Sequence, residues 1–158
     1  MKSLNNWLLV LSVLSCFGCS SPVHEDDRGC AFVSDSIQYR VEFMSAGCVR
    51  ILSFPEGDTL VTKRLVVDSE KPAFKDYKWE DTGQKLLFRT RELSVVFDKA
   101  DVAFTFQETS TGKLLLKEKG DRKARNFKRS VAGGEQCLEV TQRFVPTEDE
   151  AIYGLGQY

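Results

Sequence analysis

The chain has 158 residues, a formal net charge of −1 and a hydrophobic share of 42%. That length suits one domain, and that share suits a packed core, which excludes general disorder. A near-neutral balance leaves no electrostatic footprint for nucleic acid, so no nucleic-acid partner is expected.

Residues 1–18 read as a signal peptide and not as part of the fold. Lys2 supplies a positive start, and residues 7–18 form an apolar run. A bilayer-spanning helix needs about 20 apolar residues, so the run fits a signal-peptide core instead. Cys19 follows Gly18 and precedes Ser20, Ser21 and Pro22. This arrangement resembles a bacterial lipoprotein cleavage site, in which the cysteine thiol is acylated and becomes the new N-terminus. Cys16 is the rival lipidation site, and an ordinary cleaved signal with incidental cysteines is the plainer alternative. The resemblance implies an exported protein with a lipid anchor to the membrane. Its expected place is the outer membrane of a Gram-negative bacterium, facing the periplasm or the cell surface. Residues 19–29 then read as an acidic tether, polar, without periodicity, and carrying Glu25, Asp26 and Asp27.

From Cys30 onward the pattern is β throughout, rich in Phe, Val, Leu and Thr. Ile37, Tyr39, Val41 and Phe43 alternate with Gln38, Arg40 and Glu42. Period-two alternation places the first set on a buried face and the second in water. Ser45, Ala46 and Gly47 make a turn into a short apolar strand at 49–54, closed by Pro55, Glu56, Gly57 and Asp58. Residues 60–67 are another extended apolar segment, broken at Lys71 and Pro72. Residues 74–80 carry aromatics. Tyr77 and Trp79 share a face if this stretch is extended, which makes them candidates for stacking on a sugar. Burial in the core is the plainer reading for such large rings.

Three strands in a meander are expected at 85–90, 93–97 and 102–106. A turn at 109–112 leads into an apolar strand at 114–116. Short strands with turn signals about every eight to twelve residues suggest a sandwich or barrel. A parallel α/β fold is disfavoured because its crossover helices are missing. Residues 120–131 are the least regular part. Lys117, Lys119, Arg122, Lys123, Arg125, Lys128 and Arg129 cluster around them; such a patch suits an anion or a membrane headgroup, but a solvated loop is the plainer reading. Gly133 and Gly134 form a turn, residues 138–144 alternate as the last strand, and Pro146 ends it.

No catalytic, cofactor-binding or metal-ligating residue emerges from these patterns. Cys30, Cys48 and Cys137 lack the paired spacing of a zinc or redox site. Spacing cannot choose a disulfide among the three, and buried free thiols are the plainer reading. The only histidine, His24, lies in the tether, which argues against a His-based triad. Gly154 and Gly156 begin a GxG pattern, but no third glycine follows, so no dinucleotide cofactor is expected. Asp98, Asp101 and the acids at 148–150 read as solvated turn residues.

The last residues carry a more specific signal. Glu150, Tyr153, Gly154, Leu155, Gly156 and Gln157 resemble the E-x-[IL]-Y-G-L-G-[EQ] segment of glycoside hydrolase family 31, which includes α-glucosidases and α-xylosidases. The strand at 138–144, Pro146 and the acidic loop are similar to that family in order, as are the strands at 37–43 and 49–54. The resemblance covers roughly residues 30–158. It implies an all-β fold: an antiparallel, galactose-mutarotase-like β-sandwich placed before a (β/α)₈ catalytic barrel. The sandwich is expected to be incomplete at residue 158, because further strands follow the motif in the family. A barrel takes roughly 250 residues, more than the whole chain. The two barrel aspartates that hydrolyse terminal α-linked glycosides therefore have no counterpart here. The expectation is a non-catalytic N-terminal piece, with the parent's α-linked oligosaccharide and the downstream barrel as partners. The other expectation is a stand-alone surface lipoprotein that binds glycans or a protein partner.

Overall fold

A computed structural model describes residues 23–58, 73–120, 126–132 and 134–147. Among them the secondary structure is strand only, and every pairing is antiparallel. The first sheet runs in order β1 (His24–Glu25), β2 (Cys30–Ser34), β3 (Ile37–Ser45) and β4 (Cys48–Pro55). The second runs β5 (Lys78–Asp81), β6 (Lys85–Arg89), β7 (Leu93–Asp98), β8 (Ala103–Glu108) and β9 (Leu114–Lys117). A separate pair joins β10 (Asn126–Ala132) to β11 (Glu135–Thr141). Sequential neighbours pair throughout, so short turns suffice and no crossover is needed.

The expected alternation builds the core. Tyr39, Val41 and Phe43 of β3 are buried, and they share one cluster with Leu86, Phe88, Val95, Phe97 and Phe104 of the other sheet. The two sheets thus pack face to face as a sandwich. Aromatic rings lock the layers: Phe32 lies 4.8 Å from Phe97, Tyr39 5.1 Å from Phe97, and Tyr39 5.8 Å from Phe104. Full burial of each such side chain stabilises the fold by roughly 1.5–3 kcal/mol. The β2–β3 hairpin turns on Asp35 and Ser36, both at positive φ (54° and 60°). This is the mirror-image two-residue turn whose twist matches paired strands.

Several expectations change. Glu42 was assigned to water by alternation, yet it is only 3% exposed. Its carboxylate accepts from Arg50, its cross-strand partner on β4, and lies 3.9 Å from Arg40. A buried carboxylate needs such partners to offset its desolvation. The chain also joins the sheet earlier than a tether over 19–29 implies. His24 pairs with Ala31 and Glu25 with Cys30, so residues 23–29 belong to the fold. The loop expected at 120–131 is a strand from Asn126, because β11 supplies a backbone ladder that a charged sequence can still use. The last strand spans Glu135–Thr141, not 138–144; Phe144 instead bridges to Glu118. The apolar segment at 60–67 lies outside the described residues.

Two contacts fix how the layers meet. Thr90, in the β6–β7 turn, donates its hydroxyl to the carbonyl of Ala46 in the β3–β4 turn at 2.5 Å. The same oxygen accepts from the Leu93 N–H at 2.8 Å. Gly29 sits where a Cβ would come 2.1 Å from the Val41 carbonyl oxygen, so only glycine fits at that approach.

Candidate functional site

Two of the sequence candidates, Tyr77 and Trp79, do come together. Trp79 lies in edge strand β5, opposite Phe88, and Tyr77 precedes that strand. Both are half-buried and pack against the core, and Tyr77 stacks on Phe43 with ring centroids 5.0 Å apart. Their polar tips converge on one carboxylate. The Tyr77 hydroxyl donates to Glu25 Oε1 at 3.0 Å, and the Trp79 indole N–H donates to Glu25 Oε2 at 3.0 Å. The indole and phenol donors hold the Glu25 carboxyl below the usual range.

The next residue extends the clamp. Asp26 accepts both arms of the Arg40 guanidinium, with Nη1 at 2.9 Å, and also the N–H groups of Arg28 and Gly29. These hydrogen bonds, led by that from Arg40, hold its pKa at about 2. Lys75 Nζ reaches the Asp26 carbonyl at 3.1 Å. The strap at 24–26 therefore ties the first sheet to the entry of the second. Its functional residues were missed in the sequence because Glu25 and its two donors are separated by 52 and 54 positions. No local spacing encodes such a pairing.

Cys30 lies under the clamp, fully buried, with Sγ 3.7 Å from the Tyr77 hydroxyl. Burial pushes its thiol up to about 11, so it stays protonated at neutral pH and is a poor nucleophile. Burial likewise raises the Tyr77 hydroxyl well above its ordinary range, with Cys30 and Glu25 adding to it. Cys48 is an exposed free thiol in β4. Cys137 falls in β11, and Cys16, Cys19 and the motif residues Glu150, Tyr153, Gly154, Leu155, Gly156 and Gln157 lie outside the described residues.

Chemically the cluster is a clamp. Glu25 and Asp26 have their lone pairs committed to donors and are held ionised, the opposite of a general acid tuned toward neutrality. The same holds for Asp81, whose carboxyl is lowered by Lys99, with Nζ at 2.7 Å. Beside Tyr77 the surface opens into a shallow cleft of about 210 Å³ bordered by Asp76, Lys78, Arg89, Thr90 and Arg91.

Residues 38–158 match the model of the glycosyl hydrolase 31 N-terminal galactose mutarotase-like domain. An α-xylosidase of Saccharolobus solfataricus is 30% identical over 129 residues, covering 78% of this chain and 16% of that protein. The crystal structure of a family 31 α-xylosidase from Xanthomonas citri superposes with a TM-score of 0.68 at 25% identity, over 86% of this chain and 15% of that one. A family 31 α-xylosidase from a soil metagenome, solved with xylose, shares the fold with a TM-score of 0.61 at 22% identity, over 87% of this chain and 22% of that one. This chain thus spans less than a quarter of the length of each of these relatives. The antiparallel sandwich and the match over 38–158 agree: the chain belongs to glycoside hydrolase family 31, and it is that family's N-terminal galactose mutarotase-like domain.

Proposed function

We propose that this chain is the non-catalytic N-terminal domain of a larger enzyme that hydrolyses terminal α-xylosides or α-glucosides. The family match over 38–158, in a chain spanning 16% of an α-xylosidase, carries the reading. The described carboxylates support it. Retaining hydrolysis needs one carboxyl raised in pKa as acid and a second as nucleophile, roughly 5–5.5 Å apart. Each described carboxyl with a clear shift is moved down instead. The test compares the purified chain with the longer polypeptide that carries it, using aryl α-xyloside and α-glucoside. The longer protein is expected to release aryl alcohol and the chain alone to release none. Hydrolysis that copurifies with the chain alone would sink the proposal.

We also infer export and acylation at Cys19, on the strength of the apolar run at 7–18 and the Gly18, Cys19, Ser20 order. Radiolabelled palmitate is expected to enter the wild-type chain and not the Cys19→Ala variant. Undiminished labelling of that variant would move the site to Cys16.

A further inference from the structure

The register of the second sheet sets two cations directly opposite each other. Lys78 of β5 pairs with Arg89 of β6, and both are exposed. Opposed side chains in such a pair start only about 4.5–5.5 Å apart, and like charges there are destabilising. Two other cations of this sheet and its turns meet acids. Lys85 lies 3.3 Å from Asp98, its cross-strand partner, and Lys99 lies 2.7 Å from Asp81. Among the described residues neither Lys78 nor Arg89 has an acid within ion-pair distance. Both border the cleft beside Tyr77, and Arg91 adds a third cation there. Arg91 turns its Nε to Glu92 at 3.1 Å. A guanidinium carries five donors, so one such bond leaves others for a ligand. Among the described residues Asp76 is the single acid that lines it.

We propose that this cleft is an oxyanion site, in which Lys78, Arg89 and Arg91 hold one carboxylate, sulfate or phosphate group. A bound oxyanion turns the like-charge opposition into a bridged arrangement and suits the planar donor fork of arginine. Size sets the class of ligand. The cleft is about 210 Å³ and open to solvent, below the usual range of an enclosed small-molecule pocket, which suits one charged group more than an enclosed oligosaccharide. The same chemistry occurs on an acidic sugar and on an anionic lipid headgroup. The site does not depend on the enzymatic reading above.

The test uses the full chain and a Lys78→Gln/Arg89→Gln variant. Both substitutions are at exposed positions, so the variant is expected to fold, and to melt above the wild type without ligand. Sodium sulfate and sodium glucuronate are titrated against sodium chloride at equal ionic strength. Melting temperature and backbone amide shifts are read in parallel, and xylose serves as the neutral control. Wild-type amides at 76–79 and 89–91 are expected to shift saturably, and the variant to bind at least tenfold more weakly. A general salting effect would raise both proteins equally, so equal responses would overturn the proposal, as would no saturable shift in the wild type. A second arm measures cosedimentation with phosphatidylglycerol and phosphatidylcholine vesicles. Variant-sensitive binding to the anionic vesicles alone assigns the oxyanion to a headgroup. Glucuronate binding without vesicle binding assigns it to a soluble anion.

Discussion

Glu25 and Asp26 show how two neighbouring carboxylates can act as structural fasteners. Glu25 gathers two ring donors and Asp26 gathers a guanidinium and two backbone N–H groups. Both carboxyls are lower in pKa when folded than when unfolded. Their contribution is therefore complete above the unfolded range near pH 4. It is lost as pH falls from there toward the folded value of about 2 for Asp26. Trp79 is one of two tryptophans, so a Trp7→Phe chain reports on the clamp alone. Its urea midpoint, followed by Trp79 emission, is expected to fall between pH 4 and pH 2. An Arg40→Gln variant is expected to show a shallower decline, and equal slopes would disprove the role of Asp26.

Among the elements, the turns carry the information that joins the sheets. Thr90 is buried and spends its hydroxyl on Ala46 of one sheet and Leu93 of the other. Thr90→Val keeps the shape and leaves a buried carbonyl and a buried N–H without that partner. An unsatisfied buried group costs about 1–3 kcal/mol, so the urea midpoint is expected to drop accordingly with an unchanged m-value. Val102 is a second such point. It holds φ 53°, a costly conformation for a β-branched residue, while its side chain is buried in the core. Strain of this kind, about 1–3 kcal/mol, persists where packing over-determines the backbone.

For the whole molecule, the notable surface is β9, the end strand of the larger sheet. Leu114, Leu115 and Leu116 are all exposed, Leu115 at 52%. Further along, Lys119 N–H donates to the Arg143 carbonyl and Val145 N–H to that of Lys117, so, among the described residues, 143–145 cover only the end of this edge. An apolar sheet edge is a template for pairing with another chain. The isolated chain is expected to self-associate in sedimentation velocity as its concentration rises. Leu115→Lys is expected to suppress this, since an edge charge blocks strand addition. Identical sedimentation of the two proteins would refute it.

The sequence by itself determined the class of fold. Alternation at Tyr39, Val41 and Phe43, the meander from Lys85 onward and the absence of helical periodicity all follow from local rules of strand geometry. The family was legible in Glu150, Tyr153, Gly154, Leu155, Gly156 and Gln157, and the match over residues 38–158 agrees with it. Tyr77 and Trp79 meet at Glu25, although Tyr77 precedes the strand that holds Trp79. Other assignments required the assembled sheets. Alternation sends Glu42 to solvent beside Arg40, but Arg50 reaches it only after β3 pairs with β4. Composition made Glu25 and Asp26 part of a tether, but their donors lie far along the chain. The opposition of Lys78 and Arg89 depends on the β5–β6 register. A sequence pattern reports which face a residue prefers; which distant side chain it meets is set by how the strands pair and stack.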